Sequence, residues 1–315
     1  MVTGAQSAFE QVLETDDILA LPEMGQWQLV WRRFRRHKLA LISTVIIIGF
    51  VVVTGLAPVI APYDRDKIDL LNIFASPTME HWLGTDELGR DTLTRLLFAG
   101  QISLMASIAA TALSVVVGIA VGALAGYYRG ATEAVLMRFT DIMLTLPTLP
   151  LLLIFSKMLR DMLALQQLLG PNLSVAVIVS VLTFFGWMQV ARLVYSSVLS
   201  LREREFAEAT RALGASGWRI IVHHLVPNSL APIIVAATLG LGSRIIAEAA
   251  LSFLGLGITL PTPSWGNMLT GAQSYMWRNP WLAFYPGLCI FVIVLAFNFV
   301  GDALRDALDP RMKIQ

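Results

Sequence analysis

Two opposite charges inside one long apolar run are the first candidates for chemistry. Arg244 and Glu248 lie four residues apart within the run 229–255, so on a helix they share a face, one turn apart. If this run crosses a membrane, each charge costs about 2.5 to more than 10 kcal/mol, and such residues usually face the protein interior and pair. Two interpretations are open: a structural ion pair that neutralises both charges, or a pair that contacts a substrate or acts in gating.

The other reactive groups show no pattern typical of a metal, nucleotide or protease site. The histidines, none with metal-ligand spacing, are His37, His81, His223 and His224. Asp64, Asp66 and Asp69 lack the glycine and terminal Glu of a calcium loop, and we interpret them as a solvated loop. The chain has no GxxxxGK[ST] loop to cradle phosphates. We therefore expect no catalytic residue, no metal ligand and no cofactor bound by this chain.

Composition indicates lipid as the solvent of these residues. The chain has 315 residues, of which 56% are hydrophobic and 14% charged, with a mean hydropathy of +0.67. Soluble domains carry roughly 45–50% apolar and about 25% charged residues. The formal net charge of +1 argues against nucleic acid as a partner, because such proteins present strongly basic faces. The sequence predicts an integral membrane protein.

Six apolar runs approach the length of about 20 residues that a helix needs to cross a bilayer. They are 39–61, 102–126, 139–155, 174–190, 229–255 and 281–300. The third contains Asp141, Pro147 and Pro150, so we expect it to be kinked or short. The predicted fold class is an all-α membrane protein with about six transmembrane helices.

The distribution of basic residues predicts the orientation. Most of the 23 Lys and Arg residues lie before the first run, between runs two and three, between runs four and five, or after run six. Positive charge favours the cytoplasmic side, so both termini are expected there. The predicted organisation is a cytoplasmic N-terminal segment (1–38), a transmembrane domain (39–302) and a cytoplasmic tail (303–315).

The segment 27–38 alternates bulky apolar and basic residues, reading WQLVWRRFRRHK. One interpretation is an interfacial helix on the anionic inner leaflet, with Trp27, Trp31 and Phe34 dipping inward. The alternative is a basic flank that only sets the topology.

The longest connection on the predicted cytoplasmic side, 202–227, should form two short helices. Residues 203–213 have strong helix propensity, Gly214 can adopt the left-handed conformation that ends a helix, and Ser216 can cap a second helix before Pro227. The apolar residues expected along them are Phe206, Ala209, Ala212 and Leu213 in the first, and Trp218, Ile221 and Val222 in the second. Such a compact amphipathic knob is typical of a docking element.

This loop resembles the EAA loop of permease subunits in ATP-binding-cassette (ABC) importers. The resemblance rests on Glu208-Ala209-Thr210, Gly214 and Pro227 in that order, with Thr210 where the general pattern has a second Ala. In that family the loop forms the coupling helix that sits in a groove of the ATPase subunit. The resemblance therefore implies that these five residues couple the chain to an ATPase.

Three further stretches resemble the second (C-type) permease subunit of dipeptide and oligopeptide importers. HLVPN at 224–228 is similar to the end of the EAA loop in that branch, and HWLGTDELGRD at 81–91 resembles its periplasmic segment. EAALSFLGLG at 248–257, followed by PSWGNM at 263–268, resembles its fifth span and outer loop. Within the periplasmic segment, the candidates for contact with a binding protein are Asp86, Glu87, Arg90 and Asp91. The alternative for them is a solvated turn with a local Asp–Arg tie.

The resemblance implies a type I ABC importer permease fold working by alternating access in the bacterial inner membrane. The implied partners are a second homologous permease subunit, two ATPase subunits that hold ATP and Mg, an extracytoplasmic substrate-binding protein and membrane lipid. Di- or oligopeptides are the default substrate, with nickel chelates, glutathione or sugars as alternatives. The alternative class of transporter is an ion-driven secondary transporter. Its sequence would be expected to contain more ionisable residues in the spans and no docking knob.

Overall fold

The computed structural model describes residues 26–308. Predictions for residues 1–25 and 309–315, and for the side chain of Trp27, lie outside the described part. The helices are α1 (Gln26–Phe34), α2 (Lys38–Gly55), α3 (Ala57–Ile60), α4 (Thr92–Tyr128), α5 (Gly130–Thr145), α6 (Thr148–Arg160), α7 (Leu163–Leu169), α8 (Leu173–Arg202), α9 (Glu205–Ala212), α10 (Gly217–Ile220), α11 (Val226–Asn228), α12 (Leu230–Phe253), α13 (Trp265–Gln273) and α14 (Trp281–Leu308). A 3-10 turn precedes α8, and a π turn (Ile221–Leu225) precedes α11.

Five helical segments in residues 26–308 are long and apolar enough to cross a membrane, namely α2, α4, α7 with α8, α12 and α14. The pair α5 and α6 is bent by 97° and makes six if it counts as one span. The bend falls at Leu146, which is extended (ψ 143°), and Pro147, because proline lacks an N–H and disfavours helix in the residue before it. The predicted all-α fold and the predicted kink in the third run are confirmed.

The bundle is centred on a close contact between α4 and α8. Gly118, Gly122 and Gly126 lie one turn apart on α4 and face valines of α8. A Cβ at Gly122 would lie 2.8 Å from Val194 Cβ, and one at Gly118 would lie 2.6 Å from Val190 Cβ. Small residues at four-residue spacing let two helix backbones approach in a membrane. These glycines therefore set the distance between the two longest spans.

Helix α1 packs against the C-terminal end of α14. Phe34 is buried with Ala303 and Ala307, and Arg33 Nη1 donates to the Ala307 carbonyl at 3.5 Å. Trp31 is exposed rather than buried beside Phe34, and its ring stacks on the Phe34 ring with the centroids 6.1 Å apart. Both ends of the described chain thus lie at one face of the bundle. The cytoplasmic location of that face and the interfacial role of α1 stay predictions.

Candidate functional site

The predicted first helix of the loop 202–227 is present as α9, and Gly214 ends it with a φ of +82°. The Gly214 N–H donates to the Arg211 carbonyl at 3.0 Å and the Ala215 N–H to the Thr210 carbonyl at 3.3 Å, which satisfies carbonyls at the helix end. A Cβ at Gly214 would meet no atom of residues 26–308 within 4 Å. Glycine is favoured here by the backbone conformation rather than by crowding.

The predicted second helix is also present and begins at the predicted cap. Ser216 Oγ accepts from the Arg219 N–H at 3.4 Å. The chain then continues from α10 through the π turn into α11, which contains Pro227. At the end of this segment Asn228 Nδ2 donates to the His224 carbonyl at 2.6 Å. From Glu205 to Asn228 the loop therefore consists of short helical segments with hydrogen-bonded ends.

One face of this loop is anchored to the spans. The residues buried in the anchor are Ala207, Ile220, Ile221 and Leu225, and they pack with Ala123 of α4 and with Val190, Val194 and Val198 of α8. The Arg202 guanidinium lies 5.7 Å from the centre of the Tyr127 ring. The loop therefore packs against both α4 and α8, which also contact each other.

The opposite face of the loop is exposed and apolar. Leu213 is 88% exposed and Trp218 is 64% exposed, with Phe206 and Val222 also exposed. Glu208 and Ala209 lie exposed on the same helix. The apolar face predicted for α9 thus points away from the bundle. A cluster of large exposed apolar side chains outside the spans is typical of an interaction surface.

Within residues 26–308, Arg244 and Glu248 do not form the ion pair that was one of the two interpretations. Arg244 Nη2 donates to the Gly186 carbonyl of α8 at 3.1 Å, whereas Glu248 Oε1 accepts from Ser252 Oγ at 2.7 Å. Glu248 is completely buried, and the hydroxyls of Ser103 and Ser264 also face it. The two charges share a helix face, but Arg244 bonds to the neighbouring helix α8, whereas Glu248 bonds to Ser252 one turn further along α12. The structural pairing interpretation therefore fails, and a role in the pathway stays a prediction.

The charged segment before α4 is a buried network, which corrects the solvated-turn interpretation. Arg90 Nε lies 2.7 Å from Asp86 Oδ2, and Arg90 Nη2 lies 3.0 Å from Glu87 Oε1. Arg95 Nε lies 3.4 Å from the same Asp86 oxygen. The expected Asp–Arg ion pair is present. However, Asp86, Arg90 and Arg95 are buried, because the loop folds back over the end of α4.

Asp91 has a structural role at the start of α4. Its Oδ2 accepts from the Thr94 N–H at 2.7 Å as an N-cap, and its Oδ1 lies 2.9 Å from His81 Nδ1. Asp86, Arg90 and Asp91 are buried and bond inside the chain, and a contact with a binding protein stays a prediction for them. Glu87 is the partly exposed member of the four, and for it the contact stays a prediction.

A cavity of about 380 Å³ lies between this network and the loop after α12. Its lining includes Glu87, Arg90, Asn267 and Gly271. The loop is held in place by Trp265, whose backbone N–H donates to Ser103 Oγ and whose Nε1 donates to the Leu96 carbonyl, both at 3.2 Å. This arrangement closes the bundle at the face opposite to α9.

The acidic loop 64–69 is locally hydrogen-bonded. The Asp66 N–H donates to Asp64 Oδ1 at 2.8 Å. Asn72 Nδ2 and the Leu71 N–H donate to the Asp69 carboxylate, and these bonds hold the pKa of Asp69 below its usual value. Within residues 26–308, no group of three or more His, Cys, Asp or Glu side chains could hold a metal ion.

We expect Asp86→Ala to destabilise the subunit strongly, because Arg90 and Arg95 would lose their shared carboxylate while buried. Removing one partner of a buried ion pair costs about 3–5 kcal/mol. The measurement is thermal unfolding of the purified subunit in detergent. Asp66→Ala is the matched control, because its Arg65 pair is half exposed and should change stability by less than about 1 kcal/mol. Equal melting of the two variants would contradict a structural role for the network.

Two family models match the chain. The model "Binding-protein-dependent transport system inner membrane component" matches residues 118–314. The model "N-terminal TM domain of oligopeptide transport permease C" matches residues 25–77.

Curated relatives match almost the whole chain. The dipeptide transport system permease protein DppC of Alkalihalophilus pseudofirmus is 39% identical, over 92% of this chain and 91% of its own. The glutathione transport system permease protein GsiD of Escherichia coli O157:H7 is 40% identical, over 91% of each chain. The oligopeptide transport system permease protein OppC of Bacillus subtilis is 35% identical, over 92% of this chain and 91% of its own.

A solved structure shares the fold. A chain of the MetNI methionine ABC transporter in inward-facing conformations superposes with a TM-score of 0.53 at 20% identity, covering 68% of this chain and 96% of its own. The helical spans and these relatives together make the chain a multi-pass inner-membrane permease subunit with the type I importer fold. It belongs to the family of binding-protein-dependent transport system inner membrane components, in the branch that carries the N-terminal domain of oligopeptide permease C.

Proposed function

We propose that this chain forms half of the translocation pathway of an ABC importer for di- or oligopeptides. The loop 202–227 couples it to an ATPase. The observation that carries the proposal is that this loop has two different faces. One face is anchored to the spans by Ile220 and Leu225, which are fully buried, while Leu213 and Trp218 on the other face remain exposed. A rigid knob with one apolar face left uncovered is suited to transmit a rigid-body movement between subunits.

The partners follow from this role. ATP and Mg bind to two separate ATPase subunits, which dock on the exposed face of the loop from the cytoplasm. A second homologous permease subunit completes the pathway, and an extracytoplasmic binding protein delivers the substrate at the opposite face. Both termini of this chain then lie on the cytoplasmic side.

An exposed charged pair between the helices α5 and α8 supports the half-pathway. Arg192 of α8 bonds to Asp141 of α5, although their side chains are 56% and 54% exposed. Gln189 and Ser196 lie exposed on the same helix. Charged and polar side chains in spans face protein or a water-filled cavity rather than lipid. This face of α8 therefore adjoins the second permease subunit or the pathway.

Glutathione is the second candidate substrate, since GsiD is as similar to this chain as DppC. Glutathione is itself a short peptide, so one importer architecture serves both. Competition for uptake of a labelled dipeptide by unlabelled glutathione or by unlabelled dipeptides distinguishes the two. Membership of the binding-protein-dependent transport family argues against an ion-driven secondary transporter.

Copurification tests the coupling role. We expect an ATPase to copurify with the tagged chain from host membranes in mild detergent, and to be lost from Leu213→Asp, because a charge in the docked apolar face is costly to bury. Leu71→Asp is the matched control, since Leu71 is 95% exposed in the loop at the opposite face. It should retain the ATPase. Recovery of no ATPase with the native chain would overturn the importer function.

A further inference from the structure

Arg244 lies in the middle of the bundle and has no charge partner among the described residues. It lies near the centre of α12, and its bonding partner Gly186 lies near the centre of α8. No carboxylate of residues 26–308 lies within 4.0 Å of its guanidinium. A charge at this depth normally pairs because lipid cannot solvate it. The position thus holds a cation without its counter-ion.

The guanidinium also has hydrogen-bonding capacity to spare. Its five N–H groups make one described bond, from Nη2 to the Gly186 carbonyl at 3.1 Å. Arg244 Nε is buried without a partner. A carboxylate accepts two parallel N–H bonds from a guanidinium, so one carboxylate would supply the missing charge and accept from two of the spare donors.

Two glycines shape the space around this head group. A Cβ at Gly186 would lie 2.6 Å from Arg244 Nη2 and 2.6 Å from Ser114 Oγ of α4. A Cβ at Gly240 would lie 2.5 Å from Arg244 Nη1. Any larger residue at either position would displace the guanidinium. The cradle therefore fixes the cation where α4, α8 and α12 meet.

The cradle borders the polar surface of the spans. Arg244 is only partly buried, Ser243 beside it is exposed, and Gln189, one turn from Gly186, is exposed as well. Exposed polar side chains at this depth indicate a surface turned to protein or water. A solute that moves along that surface can reach the guanidinium.

We propose that Arg244 is a binding residue of the translocation pathway and takes the terminal carboxylate of the passing peptide. This inference rests on the proposed function, since every unmodified di- or oligopeptide carries that group whatever its sequence. An arginine that binds only the C-terminal carboxylate suits a pathway that accepts peptides with many different side chains.

The test compares uptake of one labelled dipeptide with a free carboxylate and of the same peptide amidated at its C-terminus, in proteoliposomes with the copurified complex and its binding protein. We expect Arg244→Gln to lower uptake of the free peptide at least about tenfold, and uptake of the amidated peptide less than about twofold. The native and Arg244→Gln complexes receive each peptide from the same binding protein. Any difference in how well the binding protein holds the two peptides therefore cancels when the uptake of the variant is divided by that of the native complex. An equal loss for the two peptides, or no loss, would overturn the proposal.

Gly186→Ala gives a second perturbation that keeps the charge but displaces the head group. It should weaken uptake of the free peptide selectively, whereas Gly287→Ala, with no atom within 4 Å of the new Cβ, should leave both peptides unaffected. If the Arg244→Gln subunit fails to assemble with its ATPase, uptake of the free and the amidated peptide is compared in Arg244→Lys and Gly186→Ala instead. Failure of the native complex to move either peptide would instead refute the proposed function.

Discussion

Gly214→Pro abolishes peptide uptake while the subunit still inserts and folds. The native residue has a φ of +82° and donates its N–H to Arg211, whereas proline fixes φ near −65° and has no N–H. A penalty of about 3 kcal/mol or more lowers the population of the docking conformation about a hundredfold. The measurement is labelled-peptide uptake in cells, normalised to the amount of subunit in the membrane.

Gly214→Asn is the matched control, because asparagine tolerates the left-handed conformation better than other residues. No atom lies within 4 Å of a Cβ at this position, so the added side chain meets no obstacle, and uptake should stay within about threefold of native. Glu208→Lys, which reverses a charge on the exposed face, should abolish uptake as proline does. Normal uptake by both Gly214→Pro and Glu208→Lys would refute the coupling role of the loop.

Gly122→Leu prevents the spans from packing and strongly lowers the yield of folded protein. A Cβ at this site would already lie 2.8 Å from Val194 Cβ and 2.9 Å from the Tyr195 backbone nitrogen. The rest of a leucine would force α4 and α8 apart along their shared length. We expect a loss of at least about 3 kcal/mol, seen as aggregation and low yield of monodisperse subunit in size-exclusion chromatography.

Gly49→Leu controls for the change of residue type within a span. Gly49 lies in α2 with no atom within 4 Å of a built Cβ, so its yield should match that of the native chain. If Gly122→Leu also gave native yield, the close contact between α4 and α8 would not be the centre of the fold.

The elements that depend on neighbouring residues could be predicted from the sequence. Pro147 breaks the third run because its ring and the residue before it are conformationally restricted. Gly214 ends α9 and Ser216 caps α10 for reasons confined to a few residues. The apolar runs give the spans because their length matches the bilayer core. The three glycines of α4 carried a readable signal as well, since their four-residue spacing is typical of close helix contacts.

The partners of the buried charges were decided by the tertiary structure alone. Four-residue spacing allowed Arg244 and Glu248 to pair, but Arg244 bonds to the Gly186 carbonyl of α8 instead. Glu248 bonds to Ser252 of its own helix and faces Ser103 and Ser264 of other segments. Asp86 looked solvated because its burial depends on the loop that folds over α4. Local sequence determined where helices begin, bend and end. Which side chains meet across 58 residues or more depends on how the spans pack, because burial and hydrogen bonding are set by contacts between distant segments.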